Sequence, residues 1–168
     1  FINVGSAKPD AALGLLAWLD RHKVSLVSCR LGIDNLVESM WLEDLGFRFI
    51  EMILHPVLTL QSNIPTCNHE IQVLEVSDGD LHCIAEIARS AFHNERFHVD
   101  HRLDSSAANS RYANWVINAH KDPRQKLVKL VKQESIVGFF IYIELEQKID
   151  WLLTAIAPAA QGKGVGYQ

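Results

Sequence analysis

The last twenty residues, Ile149 to Gln168 (IDWLLTAIAPAAQGKGVGYQ), constrain the fold more than any other stretch. Trp151 to Ile156 is an apolar run of buried-strand length. Pro158 has no ladder donor to offer and ends that strand. After two alanines comes Gln161-Gly162-Lys163-Gly164-Val165-Gly166, whose alternating glycines let the main chain turn tightly and approach a ligand with no Cβ in the way. If a helix begins there, its first amide N–H groups and the positive end of its dipole converge on one point, an anion site suited to a phosphate.

Spacing separates the families that use such a loop. A nucleotide-triphosphate loop requires Gly-Lys-Ser/Thr, but Lys163 is followed by Gly164, leaving no hydroxyl for magnesium. A dinucleotide fingerprint places Gly-x-Gly-x-x-Gly directly after a strand, whereas here the third glycine falls one residue early and a proline intervenes. Strand, proline, two residues and Gln-x-x-Gly-x-Gly resemble the coenzyme A pyrophosphate loop of the GNAT acyltransferase superfamily. A glycine-rich surface turn is the bland alternative.

Composition is compatible with that resemblance. The chain has 168 residues, 48% of them apolar, and a formal charge of −4, enough for one domain or two small ones. A small negative charge argues against a nucleic-acid partner, and no apolar run approaches the length of a membrane span. Cys29, Cys67 and Cys83 are odd in number, far apart and without a Cys-x-x-Cys pair, so they read as reduced, mostly buried thiols of a cytoplasmic protein. Because Phe1 is no natural start and the chain stops just past its best motif, a C-terminally truncated fragment is expected.

In order, Pro9 opens a helix expected to run to about His22, and Val24 to Leu31 alternates as a strand. Asp34 or Asn35 caps a second helix whose Ile33, Leu36, Val37, Met40 and Trp41 share one face, with Gly46 at its end. Phe47 to Leu60 reads as a long strand and 61–70 as a linker. Beyond it lie a strand from Ile71 to Val76, a helix capped by Ser77 or Asp78, a polar aromatic loop (HNERFHVDHRL) and a helix capped by Asp104 and Ser105. Strands at 126–132 and 136–145 follow, around a turn at Gln133-Glu134. The order is that of a GNAT domain up to its coenzyme A loop. The resemblance implies an α+β fold with a mixed, mostly antiparallel sheet flanked by helices. Residues 71–168 would be the first half of a catalytic domain, and 1–60 a degenerate partial GNAT-like αβαβ domain. In that front unit Asn35, Gly46 and Phe47 match the family's spacing, but Leu42 stands where a proton-donating tyrosine is usual. An unrelated αβαβ segment is the alternative.

Ser90-Ala91-Phe92, Arg96-Phe97-His98-x-Asp100 and Tyr112-Ala113-x-Trp115-Val116 look like the nucleotide-sugar N-acetyltransferases that act on dTDP-fucosamine (a dTDP-4-amino-4,6-dideoxygalactose). The resemblance implies acetyl-coenzyme A as co-substrate, with pantetheine contacts at Thr154, Ala155 and Ile156. The pyrophosphate would lie on Gln161, Gly162, Lys163, Gly164, Val165, Gly166 and Tyr167. The acceptor, a small amine such as a nucleotide-sugar, would meet Phe97, His98 and Asp100, with ordinary packing and capping as the competing role for those three. The general acid is expected beyond Gln168, so no catalytic residue is assigned and the fragment itself is expected to be inactive. A homodimer is left open. His93, His98 and His101, with Glu95 and Asp100, lack regular zinc spacing, so no metal is expected. Lys121, Arg124, Lys126, Lys129 and Lys132 read as a solvated strand face, and Tyr112 and Trp115 as core. Two other functions fit the same motifs: a GNAT acting on a protein or polyamine amine, and a non-catalytic coenzyme A-binding or interaction module.

Overall fold

The computed structural model describes residues 9–60 and 70–167. The chain divides into two compact units, Phe1–Ile50 and Glu51–Gln168. Nearly all of the expected linker lies outside the described residues.

The front unit contains α1 (Pro9–Arg21) and α2 (Leu36–Asp44). Helix α2 ends as its sequence predicts. Gly46 takes φ +88, its N–H donates to the Glu43 carbonyl, and the Phe47 N–H reaches back to Leu42, which together satisfy carbonyls the helix leaves open. The two front strands are a different matter. Neither 24–31 nor 47–60 pairs into a sheet, so the described part of this region is helical without the expected αβαβ order. Alternating apolar residues allow a strand, but a strand needs a hydrogen-bonded partner, and none of the described residues supplies one. Ile33, Leu36, Val37 and Met40, the apolar face expected of α2, are exposed.

The second unit is α+β. Strands β1 (Gln72–Glu75), β2 (Lys126–Lys132), β3 (Ser135–Leu145) and β4 (Lys148–Ile156) form one antiparallel sheet in chain order. Between β1 and β2 run α3 (Leu81–Ala91), the short α4 (Arg96–Val99) and α5 (Ser105–Lys121). Asp104 caps α5 as expected, accepting from the Ser106 N–H at 2.9 Å. The stretch expected to be a loop contains α4, because Glu95 caps it through the Phe97 N–H.

Helices α3 and α5 pack on one sheet face. Ile84, Ile87 and Ala88 of α3 and Tyr112, Val116 and Ala119 of α5 meet Leu127, Phe139, Ile141, Leu153 and Ala155. Strand alternation puts Phe140 and Tyr142 of β3 and their partners on the opposite face. There Phe140 faces Thr154, Tyr142 faces Trp151, and the Phe140 and Trp151 rings meet edge-on at 4.7 Å. No described helix is long and apolar enough to cross a membrane.

Two local features fix the sheet to its helices and β3 to β4. Lys129 of β2 donates to Asp80, just before α3, at 2.6 Å, and Asp80 also accepts from the Ser77 N–H and hydroxyl. On β3, Gly138 has no room for a side chain: an added Cβ would stand 2.6 Å from the Ala155 carbonyl oxygen. Gly138→Ala should therefore push β4 away and cost about 1–3 kcal/mol, as overpacking typically does; urea unfolding of the two proteins measures it. Acid tests the Asp80 tie. Hydrogen bonding to Lys129, and then to Ser77, holds this carboxyl at about 2, below its ordinary 3.8. The folded state thus binds the proton more weakly than the unfolded chain, so this stabilisation is present above about pH 4 and is lost as pH falls towards 2. Between those values the melting temperature of Asp80→Asn should fall less steeply than that of the wild type.

Candidate functional site

Among the described residues β4 is an edge strand of the sheet, and its hydrogen-bonding pattern can be followed residue by residue. The Ala157 N–H donates to the Val137 carbonyl at 2.8 Å. In an antiparallel ladder hydrogen-bonded and non-hydrogen-bonded pairs alternate. With Ala155 opposite Phe139 and Thr154 opposite Phe140, the main-chain groups of Ala155 face β3 while those of Thr154 and Ile156 face the free edge. A register shift leaves one extra residue on β4: Ile141 pairs with Leu153 and Tyr142 with Trp151, so Leu152 has no partner of its own. Such a bulge bends the strand and re-aims its neighbours.

The strand runs directly into the glycine loop. Pro158–Ala160 forms a single 3-10 turn, and Gln161 then folds back so that its side-chain amide donates to the Ile156 carbonyl at 2.9 Å. That bond covers one acceptor of the free edge and leaves the Thr154 N–H and carbonyl and the Ile156 N–H directed outwards. Gly162 and Gly164 have φ +71 and +73, a region other residues enter at a cost. An added Cβ at either would meet nothing within 4 Å, so conformation rather than crowding requires glycine there. Val165 is buried and anchors the loop, whereas Lys163 is exposed. Instead of a regular helix, Val165–Tyr167 makes one 3-10 turn.

Thr154, Ala155, Ile156 and Gln161 to Tyr167 thus occupy one end of β4 and its continuation. Phe97, His98 and Asp100 lie elsewhere, in and just after α4. Each is already engaged. His98 contacts Glu95 through Nδ1 and Asn109 of α5 through Nε2, the latter at 2.7 Å. Asp100 is buried and accepts three bonds from Arg102, two from its guanidinium and one from its backbone N–H, which hold its carboxyl at about 2. The Phe97 ring lies under the guanidinium groups of Arg96 and Arg111, at 4.8 and 4.3 Å. Arg96 is itself fixed by Glu51, which accepts from its backbone N–H at 3.2 Å and pairs with its guanidinium at 3.4 Å.

Tyr112 is core and stacks on Phe92, and burial raises its phenol pKa, an effect that Arg111 opposes. In the basic stretch Lys129, Lys132 and Arg124 are paired with Asp80, Glu70 and Asp122. Among the described residues no three His, Cys, Asp or Glu side chains gather as metal ligands would. Cys29 and Cys83, expected to be buried, are exposed thiols. Arg111 belongs to no motif of the sequence, and only the fold brings it over the rings of Phe97, Tyr112 and Trp115.

No family model matches the chain, and no curated protein matches it. Solved structures to which the chain shows partial similarity include a ribosomal-protein alanine N-acetyltransferase from Escherichia coli (14% identity, TM-score 0.38), which the match covers to 52%. Another is the PaiA N-acetyltransferase from Thermoplasma acidophilum in complex with coenzyme A (14%, 0.40), covered to 65%. A transcriptional regulator from Bacillus halodurans (22%, 0.36) is covered to 67%. Each match takes in 58% of this chain. The chain therefore spans about half to two thirds of these proteins.

His98→Ala would release both Glu95 and Asn109 and untie α4 from α5. Two lost hydrogen bonds of ordinary strength amount to about 1–3 kcal/mol of stability. Chemical denaturation should show that loss, and hydrogen exchange should place the extra opening at α4.

Proposed function

We propose that this chain carries the acetyl-coenzyme A site of an N-acetyltransferase that acetylates a primary amine, the acceptor being a nucleotide-linked amino sugar. The observation that carries the reading is the free main-chain edge at Thr154 and Ile156 running straight into a loop with two left-handed glycines. A pantetheine arm has two amides and can pair with such an edge as an added strand does. A diphosphate suits the main-chain N–H groups of Gly162 to Tyr167, with Lys163 beside it. Hydrogen bonds to charged groups contribute roughly 1.5–3 kcal/mol each, so a few of them supply much of the about 8 kcal/mol of a micromolar complex.

The chemistry in this reading is direct attack of an unprotonated amine on the thioester carbonyl. It needs orientation of the thioester along β4, an N–H donor for the developing oxyanion, and an acid for the departing thiolate. The bulged stretch of β4 around Leu152 is the candidate source of that donor. Residues 71–168 then serve as the coenzyme-binding half of the domain.

Gly164→Val tests the site. Cβ branching at φ +73 strains the loop and sets a side chain where the diphosphate would approach. Isothermal titration should find coenzyme A affinity lost while circular dichroism stays close to wild type. Undiminished affinity in a folded variant would overturn the loop assignment. Comparing acetyl transfer to a dTDP-linked amino sugar, a polyamine and a peptide amine then tests the acceptor.

A further inference from the structure

We infer that the outer face of α5 around Arg111 binds the diphosphate of a nucleoside diphosphate; this deepens the amino-sugar reading and rests on it only for the choice of ligand. Ala107, Ser110, Arg111, Asn114, Trp115 and Asn118 line an open groove. Their spacing is three, one, three, one and three, a single stripe along the helix and distinct from the stripe of Ala108, Tyr112, Val116 and Ala119 that enters the core. No acidic side chain lines it.

Arg111 differs from every other arginine of its unit. Arg89 pairs with Glu86, Arg96 with Glu51, Arg102 with Asp100 and Arg124 with Asp122. Among the described residues Arg111 pairs with no carboxylate. It is held instead over aromatic rings, 4.3 Å from Phe97, 5.3 Å from Tyr112 and 5.4 Å from Trp115. Ring contacts position a guanidinium through its charge, and its planar fork of N–H donors still matches phosphate oxygens. A second guanidinium reaches the same groove, since Arg89 donates to the Ser110 hydroxyl at 3.4 Å.

These groups suit one ligand chemistry. Arg111 supplies positive charge for a diphosphate, with the Glu86-paired Arg89 beside it, Asn114 and Asn118 supply neutral donors and acceptors at the surface, and the partly buried Trp115 adds an aromatic ring against which a base can stack. A structural arginine clamping Phe97 to α5 would explain the ring contacts. It would not explain a groove free of acids and lined with hydrogen-bonding residues.

Isothermal titration of the protein with dTDP, inorganic diphosphate and thymidine, in the absence of coenzyme A, tests the site. The wild type should bind dTDP, and Arg111→Gln should weaken that binding by roughly tenfold or more, as loss of a charge-assisted contact to phosphate does. Asn114→Asp, an exposed change that places a negative charge in the groove, should weaken it too. Coenzyme A affinity should stay unchanged in both variants. Absence of dTDP binding to the wild type, equal binding by both variants, or thymidine binding as tightly as dTDP would each overturn the proposal. So would dTDP binding that is lost in Gly164→Val and kept in Arg111→Gln, because the ligand would then occupy the glycine loop. If coenzyme A fails to bind while dTDP binds in an Arg111-dependent way, the acetyl-transfer reading falls and this site stands.

Discussion

The antiparallel pairing of β3 with β4 satisfies the main chain of β4 on one side only, and the rest of the candidate site depends on that asymmetry. Because hydrogen-bonded and open pairs alternate, Ala155 is committed to β3 while Thr154 and Ile156 present their polar groups outwards. A free edge is ordinarily a liability, since it pairs with any available strand. Here Gln161 caps the Ile156 carbonyl, and the chain turns away at Pro158. What stays open is short, and it leads directly to the two glycines in the left-handed region.

The part of that edge beyond the bulge is backed by the core. Phe139 and Ile141 are fully buried against α3 and α5, and their neighbours Phe140 and Tyr142 necessarily point to the other face. Gly138 lets the Ala155 carbonyl come close, so the end of β4 is seated by absence of a side chain as much as by contacts. The bulge at Leu152 divides the strand: its later half is fixed by the core, and its earlier half carries the exposed Trp151.

Most of the second unit was legible in the sequence, because each signal there was local. Pro158 ended the strand, Asp104 capped its helix, and the run from Lys126 to Lys132 formed the strand its pattern indicates. The glycines were legible as turn formers, and their φ values agree. What the sequence withheld were partners distant along the chain. Whether Val24 to Leu31 and Phe47 to Leu60 become strands depends on a neighbour, which periodicity does not report. His98 reads in the sequence as an acceptor contact or a packing residue, and its ring is held by Asn109, eleven residues away, and by Glu95. Arg111 drew no notice because its distinction is the lack of a carboxylate, a property of the folded surroundings alone.

The two proposed sites use different physics for the same chemical group. At the glycine loop, main-chain N–H groups carry no net charge, so affinity there comes from converging dipoles and depends on backbone shape. A substitution that alters φ at Gly162 or Gly164 should therefore matter more than loss of the exposed Lys163. Along α5 the helix has spent its own N–H groups on its hydrogen bonds, so an anion must be met by side chains, and Arg111 carries that charge. A charge near the surface is screened by salt, with a Debye length of about 8 Å at physiological ionic strength. Binding of a nucleoside diphosphate at Arg111 should consequently weaken with added salt more steeply than binding of coenzyme A at the loop. Titrations of each ligand at low and high sodium chloride would measure the two slopes; equal slopes would mean that one kind of recognition serves both ligands.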